Sequence, residues 1–157
     1  MTLHQCNISV SIDDVRKIYL HHFADVSAAL GGTLLSGLTS PEVSFEQGLV
    51  SLSAKKKVPL FGEFSVSAKV RPAIAPDGRS LCLALEKIAA GPLETGSLSK
   101  LIMSKVSEQV SSIPGCRVDG GNLLVNLREI VATKGVELVG RIVSVNMLSN
   151  AIAISVA

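Results

Sequence analysis

Aromatic side chains are scarce: four phenylalanines, one tyrosine and no tryptophan make up 3% of the 157 residues. Nucleobases would find few rings to stack on, and a formal net charge of +2 offers a polyphosphate little attraction. Nucleic acid is not an expected partner. Cysteine is equally thin. Cys6, Cys82 and Cys116 are odd in number and far apart, which argues against a disulfide framework and against a paired-cysteine zinc site; they read as reduced, half-buried small residues. Charged residues make up 18% and apolar residues 47%, yet no window reaches the roughly 18 uninterrupted apolar residues of a spanning helix. The opening MTLHQCNISV has neither the basic nor the apolar region of a secretory signal. As written, the chain is expected in the cytoplasm, or as an exported domain whose signal or anchor has been trimmed.

Catalytic signatures are missing too. No serine lies in Gly-x-Ser-x-Gly, and no glycine loop ends in Gly-Lys-Ser or Gly-Lys-Thr. His21, His22 and Asp25 form the single cluster with metal-ligand chemistry, His21 and Asp25 being one helical turn apart. Two ligands fall short of the three or four that zinc requires, so a surface or interface role is expected. No catalytic residue, metal site or cofactor is assigned, and the chain is expected not to be an enzyme.

What is present is amphipathic patterning over a length that suits one domain, 1–157. In the stretch 97–113, SLSKLIMSKVSEQVSSI, the residues Leu98, Leu101, Ile102, Val106, Val110 and Ile113 recur at three and four residues. This predicts a helix with one apolar face, capped by Ser97 and ended by Pro114-Gly115. Earlier, Ile8, Val10 and Ile12 alternate with polar residues in a strand over 6–12. Ser11 and Asp14 then have capping-box spacing, with Val10 and Val15 placed as a hydrophobic staple. A helix with Val15, Ile18, Tyr19, Phe23, Val26 and Leu30 on one face would run to Gly31-Gly32.

From Val43 the period changes to two. Val50, Leu52 and Ala54, then Phe64, Val66, Ala68 and Val70, then Leu81, Leu83 and Leu85 form inward rows, and Pro76-Asp77-Gly78 reads as a turn. Lys55, Lys56 and Lys57 precede Val58-Pro59-Leu60-Phe61 and read as part of a hairpin connection. Basic and apolar residues side by side at a loop tip suit contact with an anionic bilayer, Phe61 entering the interface; lysines that protect a sheet edge give the same pattern. Later come a hairpin of Cys116–Asp119 and 123–126, a helical turn over 126–131, and strands within 136–147 and Ala151–Val156. Neighbouring strands on short turns are antiparallel, so the fold class is α+β, with two amphipathic helices on a one-sided sheet.

The segment from Leu60 onward, with Phe61-Gly62 leading into FSVSAKVRP, a Pro-Asp-Gly turn, LCLALEKIAAGPL, a helix ending in IPG, CRVDGGNLLVNL and GVELVGRIVSV, resembles the LmeA-like and YpmS-like bacterial proteins of the tubular lipid-binding superfamily. The resemblance implies a strongly curved antiparallel sheet wrapped around a long helix, enclosing a groove for a lipid or fatty-acid-like molecule. It places Leu98, Leu101, Ile102, Val106 and Val110 on the helical wall and Phe64, Val66, Leu81, Leu83 and Leu85 on the strands. Peripheral membrane contact through Lys55, Lys56, Lys57 and Phe61 accompanies that reading. The alternative is a structural domain with a filled core that forms a homo-oligomer through an open sheet edge or its first helix.

Overall fold

The computed structural model describes residues 1–29, 36–91 and 98–157. In chain order the elements are β1 (Thr2–Leu3), β2 (Cys6–Ser11), α1 (Ile12–Ala29), β3 (Thr39–Glu46), β4 (Leu49–Val58), β5 (Gly62–Ile74), β6 (Ser80–Ala90), α2 (Leu98–Val110), β7 (Cys116–Asp119), β8 (Asn122–Asn126), α3 (Leu127–Ala132), β9 (Glu137–Leu138), β10 (Ile142–Met147) and β11 (Ala151–Val156). The protein is α+β with mainly antiparallel sheets. Ser97, the expected cap of the second helix, and Leu30 with Gly31-Gly32 lie outside the described residues, as do the side chains of Val26 and Leu98.

Helix α1 begins where the sequence places it. Ser11 Oγ accepts from the Asp14 backbone N–H at 3.1 Å, while the Asp14 carboxylate accepts from the Ser11 N–H at 3.1 Å and its hydroxyl at 2.7 Å. These bonds hold the Asp14 carboxyl below its ordinary range, the Ser11 hydroxyl contributing most. Ile12, Val15 and Tyr19 pack on the core. Ile18, expected on that face, is 60% exposed instead, because the buried stripe follows positions 12, 15 and 19 and a neighbour one residue away points about 100° aside. Helix α2 stops at Val110, one turn before the expected end. Ile113 then donates to the Val110 carbonyl in a turn, at 2.9 Å, and is itself exposed.

Two sheets carry the fold, one six-stranded in the order β3-β4-β5-β6-β8-β7 and one three-stranded in the order β10-β11-β2; β1 and β9 form a short parallel pair. The expected single sheet, strongly curved around a helix, is corrected: the sheets are open and not strongly curled. The physical reason is that a second sheet covers much of the apolar face. Ile142, Ile152, Ile154 and Val156 of the small sheet share one core with Val43, Val50 and Leu81 of the large one, so burial is achieved by stacking rather than closure. Gly140 makes the close approach possible, since a Cβ there would sit 2.8 Å from Val156 Cγ1 and 2.9 Å from the His4 carbonyl oxygen.

The hairpin of β4 and β5 also differs from expectation. Their pairing continues from Val50↔Val70 to Val58↔Gly62, so Lys55, Lys56 and Lys57 lie within β4 rather than in the connection. The reversal is made by 59–61 alone. Alternation had been broken by the lysines in the sequence, yet a strand carries polar residues readily when one of its faces is in water.

Candidate ligand cavity

Along β4, β5 and β6 the inward residues stand in transverse rows. Leu52 pairs with Ala68 and Ala68 with Ile88; Ala54 pairs with Val66 and Val66 with Ala90. The β6 row reaches these partners only because a bulge intervenes: Lys69 pairs with Lys87 but Val70 with Leu85, leaving Glu86 as the extra residue. Before the bulge the inward positions are 81, 83 and 85; after it they are 88 and 90. This shift of phase turns Ile88 and Ala90 onto the apolar face, and both are buried.

Helix α2 lies over these rows. Leu101 and Ile102 pack with Phe64, Val66, Ala90 and Leu38 in a small cluster separate from the main core. Further along, the helix stands off. The floor is made of short side chains at Ala54 and Ala68, with Val106 and Val110 of the helix on the other side. The result is a cavity of about 310 Å³, walled by Leu52, Val66, Ile88, Ile102, Val106 and Val110, with Tyr19 of α1 and Leu38 also contributing. Ser67, Lys105 and Gln109 are its other polar-bearing neighbours. Gly91, at φ +54°, lets the chain leave β6 directly beside the Phe64 ring, where a Cβ would lie 2.8 Å from Cδ2.

Two of the polar side chains at the cavity, Tyr19 and Lys105, have partners. The Tyr19 hydroxyl donates to the Ser53 carbonyl oxygen at 3.2 Å, and burial pushes its pKa up, so the phenol remains neutral. Lys105 Nζ stands 3.0 Å from Glu108 and its side chain is 36% exposed, which places its charge at the rim. The arrangement can enclose an apolar tail and present one cation beside it.

Of the residues named from sequence, Val66, Ile102, Val106 and Val110 line the cavity, and Phe64 and Leu101 form the packed cluster next to it. Leu81 and Leu83 belong to the main core between the sheets, and Leu85 is half-buried across from Val70. Tyr19, Leu38, Leu52, Ile88, Lys105 and Gln109 were not anticipated as lining. For Ile88 a signal existed: Glu86-Lys87 interrupts the alternation and Ile88-Ala89-Ala90 resumes it out of phase. Lys55 is 3.5 Å from Glu63, Lys56 donates to the Ser36 carbonyl, and Lys57 and Phe61 are exposed.

A smaller hollow of about 120 Å³ beside Asp77, Ser80, Cys116 and Glu129 is polar. Its groups are bonded to one another, Ser80 to Asp77 and Asn126 to Glu129, and burial pushes the Cys116 thiol up, away from the reactive thiolate. His21 and His22 are exposed, and it is His22 rather than His21 that approaches Asp25, at 3.8 Å. Among the described residues no three His, Cys, Asp or Glu side chains converge as metal ligands, and no helix is long and apolar enough to cross a membrane. No protein-family model, no curated protein and no solved structure matches the chain.

Proposed function

We propose that the protein is a non-catalytic binder of a single-tailed lipid, such as a fatty acid, held between α2 and the rows of β4, β5 and β6. The observation that supports this reading is the apolar cavity of about 310 Å³. Sites for small organic ligands begin near that size, about 300 Å³, which suits one acyl chain better than two. Binding would come from taking the tail out of water, about 0.8 kcal/mol for each buried methylene. Lys105 at the rim would face an anionic head. On this reading the chain is a relative of the tubular lipid-binding proteins in which an open cleft under one helix serves in place of a closed tube.

Two substitutions test it. Val106→Glu puts a carboxylate where the tail would lie and should abolish uptake of a fluorescent fatty acid. Ala68→Leu fills the floor with carbon instead: it should weaken uptake by about tenfold or more, since each displaced methylene is worth about 0.8 kcal/mol, with little change in stability. If the space were ordinary core, the added side chain would overpack it and cost about 1–3 kcal/mol. Uptake by the Ala68→Leu protein equal to that of the native chain would sink the reading.

A further inference from the structure

The turn between β4 and β5 carries two large apolar side chains with nothing to pack on. Strand pairing persists to Val58↔Gly62, and the Phe61 N–H donates to the Val58 carbonyl oxygen at 3.2 Å. Leu60 is 104% exposed and Phe61 76%, and Leu60 is the most exposed large apolar side chain among the described residues. Leu60 also has φ +74°, in the left-handed region that glycine or asparagine fills at such turns. A branched residue there costs roughly 1–2 kcal/mol, with no return from packing within the chain. Strain of this kind points to a contact made outside the molecule.

The surroundings say what kind of contact. Lys55 and Lys57 lie just below the tip on the exposed face of β4, Lys55 shared with Glu63 at 3.5 Å. Two protruding side chains cannot supply the about 1,200–2,000 Å² that a specific protein pair buries. A bilayer interface, by contrast, accepts single leucine and phenylalanine side chains and attracts lysines beside them to anionic headgroups. We infer that the β4–β5 hairpin tip, Leu60 and Phe61 with Lys57 below them, is a docking point for an anionic lipid bilayer. This stands independently of what occupies the cavity under α2.

The absence of tryptophan makes the test direct. Phe61→Trp provides a sole tryptophan at the tip, and Val143→Trp, at an exposed position of β10, provides a control. With phosphatidylglycerol vesicles at low salt, emission of F61W should shift to the blue, that of V143W should not, and phosphatidylcholine vesicles should give a smaller shift. Cosedimentation of the native chain with the anionic vesicles should fall about tenfold or more in the Leu60→Ser/Phe61→Ser protein, each side chain contributing on the order of 1.5 kcal/mol or more of burial. Fatty-acid uptake from solution should be unchanged in the same double variant, which separates this inference from the cavity reading. Failure of the native chain to cosediment, cosedimentation that survives the double substitution, or equal shifts at 61 and 143 would overturn it.

Discussion

At the scale of single residues, stability rests on polar groups that close a connection locally. Asp77 is the clearest case. One carboxylate oxygen accepts from the Arg79 and Ser80 backbone N–H groups, both at 2.8 Å, and the other accepts from the Ser80 hydroxyl at 2.8 Å. The Arg79 N–H leads the causes that hold the Asp77 carboxyl below its usual range. Ser80 is only 3% exposed, so without this partner its hydroxyl would be buried and unpaired. Asp77→Ala should therefore cost about 1–3 kcal/mol in urea unfolding. The pH dependence has a definite sign. A carboxyl whose folded pKa is depressed contributes fully above its unfolded pKa and loses that contribution as pH falls through the folded value. The gap in stability between native and D77A proteins should hold at neutral pH and shrink in acid; a gap that widened in acid would contradict the account. Pro76-Asp77-Gly78 was legible as a turn from residue types alone. The bond to Ser80 was not, because nothing local marks that serine as buried.

At the scale of elements, the sequence was readable wherever one period held from end to end. The start of α1, the β5 row from Phe64 to Val70, the β7–β8 hairpin and the helical turn after Asn126 all have local causes: a capping pair, strict alternation, a Gly-Gly reversal, and an Asn126 side chain that accepts from the Arg128 and Glu129 N–H groups. Legibility failed where a period changed inside an element. In β6 the inward row was followed to Leu85 and lost at Glu86, so Ile88, which lines the cavity, and Ala90, in the cluster beside it, went unseen. In β4 the lysines were taken for a connection because their charges interrupt the apolar pattern. The bulge makes a sharp prediction. Deleting Glu86 removes the one unpaired residue and leaves Leu85 opposite Val70, Lys87 opposite Lys69 and Ile88 opposite Ala68, so in a strand of period two Ile88 and Ala90 keep facing inward. The variant should retain fatty-acid uptake. Loss of uptake would show that Glu86 does more than shift the phase of the strand.

At the scale of the whole molecule, what the sequence could not express was which apolar face meets which. Alternation in Ala151–Val156 announces a buried side, but β11 pairs with β2 at the opposite end of the chain, Ala151 with Ser11 and Ile154 with Ile8. That pairing puts a second sheet over half of the large one and leaves α2 to cover the rest. The well-packed core and the looser space under α2 are thus two ends of one sheet, divided by what lies on top. The four cavity residues foreseen from sequence, Val66, Ile102, Val106 and Val110, came from the helical stripe and from β5, where period alone fixes direction. Leu81 and Leu83 share that apolar face but sit at the end of the large sheet that the small one covers. No residue-level pattern separates those two ends.

On the proposed function, the space beneath α2 is a binding site and not a flaw in packing. Native mass spectrometry of the purified protein, followed by organic extraction and re-exposure to a fatty acid, tests it most directly. The expected result is a non-covalent mass increment of one single-tailed lipid per chain, removed by extraction, restored by added fatty acid, and strongly reduced in the Ala68→Leu protein. A bare chain mass that stays bare in the presence of fatty acid would contradict it, and the filled-core domain that associates through its own surfaces would take its place.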